Sequence, residues 1–579
     1  MKKKKQTRRL VIKNAQLKIK KLEASKNIWK IVSCMKTYIL HFIFFILHFA
    51  FCISHSFAQN DTTKRQTIDI TSSYKPVLKD VVKINFSASP LAVDTFRKRL
   101  AYDIPAQNLF FSHQPTSLKP LALTQDTGLQ LGGRNYVKAG FGNLSTPYVN
   151  AGLSFGDGRT SLFNLYGNYI SSKGKIVNQD FSEIKLKGTG SYFTPNNEAY
   201  GGVAVGVNEY FLYGYDHALH TFSKDDIRRK YQDIALTAGF KNTTVNDFNL
   251  NYNLNAGAHI FSRENKISES TLMLEAPVEK RFGEKVAFKV AARADLTNFT
   301  DKTRAVNTKF NNNLFQISPE LVYYSDVFTF HGGVTPSWDN KELSVLPNIY
   351  GEAQLQHNIL MVQAGWVGKY VYNTFRSLSI TNPYMQDPSI LLNTKEVQFY
   401  GGIKATPGKH FSFNAKAGFI TYHNMPLFVN DSTGKSFYIS NESKMNNLQL
   451  HGDMNYVSQD KFTLSAALDV NNYTGLKDNA KAWHLIPLQL TGSVRWNAFK
   501  QVLLKGDILA FSKIPVLLPN DVERKLKGST DISAGAEFKI NSKFSAWLDL
   551  NNILNNKYQR WNNYPVYGLN VIGGVIVHF

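Results

Sequence analysis

The stretch Val566-Tyr-Gly-Leu-Asn-Val-Ile-Gly-Gly-Val-Ile-Val-His-Phe579 decides the fold of this chain. Every second position counted back from Phe579 is apolar, aromatic or glycine, and the positions between them are mixed. This period of two predicts a β-strand. An unpaired apolar strand at a chain end frays or aggregates, whereas in a closed barrel the last strand pairs with the first. We therefore expect residues 566–579 to close a barrel by pairing with a strand near Tyr136–Gly142.

The same alternation recurs from about residue 134 onward, as in residues 248–260, 411–419, 462–470 and 544–551. Nine to eleven residues cross a bilayer as a tilted strand, about twice the usual length of strands in soluble sandwiches. The chain is therefore predicted to be all-β, with a transmembrane antiparallel β-barrel of about 22 strands, an even number as in other single-chain barrels. A soluble β-sandwich is the alternative, which the strand length disfavours.

The connections between these segments alternate in length. Short turns occur near residues 156–158, 194–197, 282–284, 356–358, 406–408, 458–460 and 541–542. Longer loops fall between them, near residues 172–181, 209–229, 373–392, 424–443, 512–525 and 556–564. Because the short turns of outer-membrane barrels are periplasmic, we expect a Gram-negative outer-membrane protein with both barrel ends in the periplasm.

The first part of the chain carries targeting signals. Residues 35–58 combine a charged start, an apolar run and the small residues Ser56 and Ala58 at a cleavage point, which predicts a signal peptide. The apolar run is too short for a transmembrane helix. We expect residues 1–34 to be an upstream extension that results from a start codon assigned too early, and Met35 to be the true first residue.

Residues 59–133 form a separate segment that contains five prolines and reads as extended, loop-like chain. We expect an N-terminal periplasmic segment or a reduced plug here, ahead of a transmembrane β-barrel at residues 134–579. One short alternating run in it is a candidate partner-binding segment that would add a strand to another protein. This run consists of Thr67, Ile68, Asp69, Ile70 and Thr71.

Charge and cysteine content exclude several classes of function. The formal net charge is +24, but residues 1–58 hold 13 of the 67 Lys and Arg and only one acid, so the rest of the chain carries +12. Its cations are dispersed rather than gathered in one stripe, which argues against nucleic acid as a partner. Both cysteines, Cys34 and Cys52, lie in the leader, so the mature chain has no disulfide or thiolate site. The bulky Phe51 disfavours a lipoprotein signal at Cys52.

Residues 549–565, Asp-Leu-Asn-Asn-Ile-Leu-Asn-Asn-Lys-Tyr-Gln-Arg-Trp-Asn-Asn-Tyr-Pro, followed by the glycine-bearing last strand, resemble the end of TonB-dependent receptors. The resemblance implies an outer-membrane receptor that imports siderophores, vitamins or glycans and is driven by an inner-membrane energy-transducing protein. The last strand is also similar to that of other outer-membrane barrels, whose terminal aromatic residue is read by the assembly machinery. The assembly signal that this resemblance implies consists of Phe579, Val577 and Val575.

The other end of the barrel departs from that family. Such receptors carry a plug domain inside the barrel, and the plug is much longer than the roughly 75 residues that precede the first strand here. A barrel of this width needs filling. We therefore expect the lumen to be closed in one of three ways: residues 59–133 fold partly into it, the long loops fold in, or a partner caps the barrel.

No arrangement of residues points to catalysis, a cofactor or a metal, so we predict a protein that is not an enzyme. Asp469, Asp549 and Lys416 fall on the water-facing register of their strands and are candidate lumen-facing residues that tune selectivity. Aromatic residues near strand ends are predicted to form girdles at the two membrane interfaces. They are Tyr166, Tyr169, Tyr210, Phe211, Tyr213, Tyr323, Tyr324, Tyr370 and Tyr372.

Two functions follow from these patterns. The first is passage or uptake of a solute across the outer membrane. The alternative is an accessory barrel that scaffolds an envelope or surface complex through its N-terminal arm. The expected partners are outer-membrane lipid, the barrel-assembly machinery, and either an inner-membrane energy-transducing protein or a periplasmic or lipoprotein partner.

Overall fold

The computed structural model describes residues 135–579, apart from residues 245, 265, 304–307, 357–358, 408–409 and 459–460. The predicted leader, the N-terminal segment and the candidate partner-binding residues Thr67 to Thr71 lie outside the described residues.

The described residues form one closed antiparallel barrel of 22 strands, which confirms the predicted fold class. Its strands are β1 Tyr136–Gly142, β2 Thr146–Gly156, β3 Ser161–Lys173, β4 Asp180–Phe193, β5 Asn197–Phe211, β6 Arg228–Asn242, β7 Leu250–Arg263, β8 Ile267–Phe282, β9 Val286–Asp301, β10 Thr308–Tyr324, β11 Phe328–Asp339, β12 Glu342–Gln356, β13 Leu360–Val371, β14 Thr394–Ala405, β15 Phe411–His423, β18 Met445–Ser458, β19 Phe462–Thr474, β20 Leu488–Phe499, β21 Val502–Phe511, β24 Ser529–Lys539, β25 Phe544–Asn551 and β28 Asn570–His578.

The barrel closes where the sequence predicts. β1 pairs with β2 on one side and with the last strand, β28, on the other. In this seam Tyr136 lies opposite His578, and Gly140 lies opposite Gly574. Every barrel strand thus has two neighbours, which leaves no free sheet edge.

The two faces of each strand differ as the period of two requires. In β7, Leu254 and Ile260 are 41% and 56% exposed on the outer face, whereas Phe261 on the inner face is only 3% exposed. A band of apolar side chains therefore covers the outside of the barrel. Among the described residues, no helix is long and apolar enough to cross a membrane.

Short turns and long loops lie at opposite ends of the barrel. The end that holds the start of β1 and the end of β28 carries only short turns. In one of them the Asp157 carboxylate accepts hydrogen bonds from the backbone N–H groups of Arg159, Thr160 and Ser161, and these bonds lower the pKa of Asp157.

The long loops at the opposite end contain secondary structure that the sequence patterns did not indicate. They hold three hairpins, two short helices and a single 3₁₀ turn, Pro519–Asp521. The hairpin strands are β16 Met425–Asn430, β17 Phe437–Glu442, β22 Ile514–Leu518, β23 Val522–Leu526, β26 Gln559–Trp561 and β27 Tyr564–Pro565. The helices are α1 Lys224–Ile227 and α2 Phe375–Thr381.

Candidate functional site

The long loops fold inward and meet inside the mouth of the barrel. We call them the loop cap, which comprises residues 212–227, 372–393, 424–444, 475–487, 512–528 and 552–569. Four of these loops share one buried apolar core with the inner faces of β6 to β9. This core consists of Tyr213, Tyr231, Phe261, Ile267, Phe299, Phe375, Leu378, Met385, Leu391, Phe428, Phe437, Trp561 and Tyr564.

Ring stacking and backbone hydrogen bonds join the loops of the cap to one another. The rings of Tyr384 and Tyr564 stack with centroids 3.6 Å apart, and Tyr213 packs edge-on to Tyr564 at 4.9 Å. The backbone N–H of Gln386 donates to the carbonyl of Phe437 at 2.7 Å. Four loops that are distant in sequence therefore form a single packed unit.

Two ionisable groups buried in the loop cap, Tyr213 and His484, are held in their neutral forms. Burial raises the pKa of Tyr213 to about 12, and its hydroxyl donates to the Pro565 carbonyl at 2.9 Å. Burial lowers the pKa of His484 to about 3, and its Nδ1 lies 2.7 Å from the Phe428 carbonyl. Because a carbonyl only accepts, Nδ1 of the neutral ring carries the proton.

One loop of the cap crosses the lumen face of the barrel wall. This loop, residues 372–393, contains α2 and is called the strap. Thr374 caps α2, and its side chain and that of Ser377 form a reciprocal capping box. The Glu269 carboxylate, on β8, accepts hydrogen bonds from the backbone N–H groups of Phe375 at 2.5 Å and Arg376 at 3.1 Å. A negative charge thus meets the positive end of the helix dipole.

Two ion pairs hold the strap to the barrel wall. The Arg376 guanidinium donates from Nε and Nη2 to Asp233 on β6, at 2.8 and 2.7 Å. The Arg263 guanidinium, on β7, makes a bidentate contact with Asp387 of the strap. Bidentate pairs of this kind fix orientation as well as charge.

We expect Glu269→Gln to loosen the strap by about 1 to 2 kcal/mol, roughly tenfold in its local opening equilibrium, because two helix N–H groups lose a charged acceptor. Hydrogen exchange at the amides of residues 375–378 measures this opening. Glu275→Gln is the matched control, since Glu275 lies on the same face of β8 and is exposed. Equal exchange in both variants would show that Glu269 does not anchor α2.

A chamber of about 420 Å³ lies between the strap and the inner faces of β3 to β7. Its aromatic lining comprises Tyr166, Phe181, Tyr210, Tyr231, Phe261, Tyr384 and Trp561. Its charged lining comprises Glu183, Lys185, Lys187, Asp233 and Arg376. Apolar walls with a few placed polar groups are typical of a site for an organic solute.

The three candidate lumen-facing residues lie away from this chamber. The Lys416 ammonium sits 3.5 Å from the centre of the Tyr400 ring. Asp469 contacts His451 Nδ1 at 2.7 Å. Asp549 contacts the Lys138 ammonium at 3.4 Å.

Sequence patterns did not single out the residues that hold the strap. Glu269 and Asp233 look like any other polar position of a period-two strand. Asp387 lies in a loop whose sequence contains no recognisable motif. Their importance comes from contacts across the lumen, for which the local sequence carries no signal.

The girdle prediction is wrong for part of its set. Phe211, Tyr213 and Tyr370 are buried inside the protein rather than placed at the outer surface. The Tyr372 hydroxyl donates to Thr297 Oγ1 at 2.8 Å. Aromatic residues at strand ends serve the loop cap as well as the membrane interface, because the same ring can pack on either side of the barrel wall.

The residues of the predicted assembly signal lie in and after the closing strand. Val575 faces outward and is 46% exposed, and Phe579 is 66% exposed. Val577 pairs with Val137 of β1. Their recognition by an assembly machinery stays a prediction.

A closed barrel of 22 strands with an apolar outer band, short turns at one end and long loops at the other has the architecture of an outer-membrane β-barrel. Solved structures share this fold. The FrpB iron transporter from Neisseria meningitidis superposes with a TM-score of 0.60 at 12% identity, over 80% of this chain and 83% of that chain. The siderophore receptor PirA from Acinetobacter baumannii gives a TM-score of 0.60 at 10% identity, over 77% of this chain and 80% of that chain.

The ferric-catecholate import receptor Fiu from Escherichia coli K12 superposes with a TM-score of 0.59 at 10% identity, over 77% of this chain and 82% of that chain. No family model matches the chain, and no curated protein matches it. The predicted resemblance to the barrel of TonB-dependent receptors is therefore confirmed as a likeness of fold.

Proposed function

We propose that the protein passes a solute across the outer membrane and that the loop cap controls entry to the barrel. One observation carries this proposal: the strap is tied across the inner wall by two ion pairs and a capped helix, directly above a chamber of solute size. Such a closure is reversible, because charged latches open without disturbing the barrel strands.

The proposed orientation places the loop cap outside the cell and both barrel ends in the periplasm, since short turns face the periplasm in such barrels. Residues 59–133 would then be available to a periplasmic or inner-membrane partner, with residues 67–71 as its docking strand. Asp469, Asp549 and Lys416 would tune the charge of the lumen below the chamber.

Ferric chelates are the first solutes to test, because similar folds belong to an iron transporter and to siderophore receptors. We expect cells that lack the protein to lose uptake of at least one radiolabelled ferric siderophore under iron limitation. Uptake should return with the intact gene and fall again with Asp233→Asn, because Asp233 also lines the chamber through which the solute would pass. Undiminished uptake of every chelate and of other nutrients in the deletion strain would contradict the transport proposal.

The packed core of the loop cap favours scaffolding as a second candidate, since a mouth filled by thirteen buried apolar residues resembles a folded domain. A pull-down of the native protein separates the two functions. A stoichiometric envelope partner, together with normal growth of the deletion strain on all nutrients, would support the scaffold.

A further inference from the structure

Among the residues that the structure describes, Arg560 is a buried cation without a counter-charge. It lies in β26 within the loop cap and is 2% exposed. In the described part of the chain, no atom accepts a hydrogen bond from its Nε, Nη1 or Nη2. Other buried cations of this protein meet carboxylates, as Arg263 meets Asp387 and Lys138 meets Asp549.

The groups around Arg560 do not neutralise it. The Trp561 ring lies 4.4 Å from the guanidinium carbon. The charge of Arg560 contributes to the lowered pKa of His484, so the two side chains are close. However, His484 Nδ1 donates to the Phe428 carbonyl, and its Nε2 accepts from the Asn562 N–H at 3.4 Å. Neither ring nitrogen is left to accept from Arg560.

The charge on Arg560 persists at neutral pH. Burial lowers its pKa to about 9, and the nearby Tyr473 phenol opposes that shift. A guanidinium that is buried, charged and unpaired costs several kcal/mol. Native proteins meet such a charge with an anion or a full set of acceptors.

Tyr473 and Trp561 lie next to Arg560 of the loop cap. Tyr473 interacts with both Arg560 and Tyr422, and the Tyr422 hydroxyl in turn lies against Asn447. Trp561 contacts Arg560 and also lines the chamber. A solute in the chamber is therefore one side chain away from the guanidinium.

We propose that Arg560 anchors an oxyanion site behind Trp561, which takes one carboxylate or phosphate group of a small molecule. The planar guanidinium pairs with such groups through two parallel N–H donors. The inference concerns binding alone, so it stands or falls independently of solute passage.

The test measures thermal unfolding of the purified full mature chain in detergent while acetate or inorganic phosphate replaces chloride at constant ionic strength. We expect a saturable rise of several degrees in the unfolding midpoint, absent in Arg560→Gln. Arg524→Gln is the matched control, because Arg524 is exposed on the neighbouring hairpin. It should respond like the unaltered protein.

A second variant distinguishes a loss of anion binding from a loss of folding. Arg560→Lys keeps the charge but loses the two-pronged geometry, so it should bind the same anion about tenfold more weakly. In chloride alone, Arg560→Gln should be at least as stable as the unaltered protein, because an unpaired charge is removed. The absence of a saturable shift with either anion would overturn the proposal. An equal shift in Arg560→Gln would do the same.

Discussion

Gly574→Ala is expected to cost about 3 kcal/mol and to lower the yield of folded barrel severalfold, because an added Cβ has no room in the closing seam. That Cβ would lie 2.0 Å from the Ala139 carbonyl oxygen and 2.5 Å from Gly140 Cα. Both are backbone atoms of β1, so no side chain can move aside. Relief requires β1 and β28 to separate, which exposes two strand edges.

The Trp547 ring explains why the seam is this tight. A Cβ added to Gly140 would lie 2.5 Å from the indole Cζ2, and the Lys138 ammonium sits 3.9 Å from the centre of the same ring. The indole thus occupies the space that a side chain at Gly140 would need, and Gly140 lies directly opposite Gly574.

The matched control is Gly506→Ala in β21, where nothing lies within 4 Å of the added Cβ. Folded yield in the membrane fraction and the thermal unfolding midpoint should match the unaltered protein for this variant and fall for Gly574→Ala. An unchanged midpoint in Gly574→Ala would show that the seam is looser than the structure indicates.

Removal of the strap is expected to convert a closed protein into a steady, large-conductance pore. A short Gly-Ser linker in place of residues 375–391 removes α2 and four residues of the cap core, Phe375, Leu378, Met385 and Leu391. The barrel itself should survive, because Val371 and Thr394 are directly opposite each other on adjacent strands and a short linker spans that distance.

Single-channel recording in planar bilayers measures the effect. Deletion of residues 216–221, the exposed tip of another loop, is the control and should leave the channel closed. If the strap variant stays closed as well, the loops are not the barrier. Residues 59–133 or a partner would then close the lumen.

Much of the fold is predictable from sequence because the relevant signals are local. Alternation in residues such as Leu254 and Ile260 defines a strand and its outer face without reference to any distant residue. Strand length then separates a membrane barrel from a sandwich. The pairing of β1 with β28 follows from closure alone.

The structure of the loops cannot be predicted from local sequence patterns in the same way. Phe437 and Trp561 do not belong to a periodic hydrophobic pattern that would assign them to a shared core. The sequences of the hairpins that contain them look like those of ordinary loops. Phe211 and Tyr213 sit at a strand end, where an aromatic residue fits an interfacial girdle as well as a buried cap. The neighbouring loops decide which role such a ring takes.

The sequence by itself determined the barrel, its approximate strand number, its closing pair and the segregation of short turns from long loops. Only the tertiary structure decided that the loops fill the mouth, that a strap covers a chamber and that Arg560 is buried with no counter-charge among the described residues. The two ion pairs that hold the strap join residues far apart in sequence. Asp233 and Arg376 are separated by 143 residues, and Arg263 and Asp387 by 124. Contacts over such separations exist only after the barrel has closed and brought its opposite walls together, and no local pattern of residues encodes them.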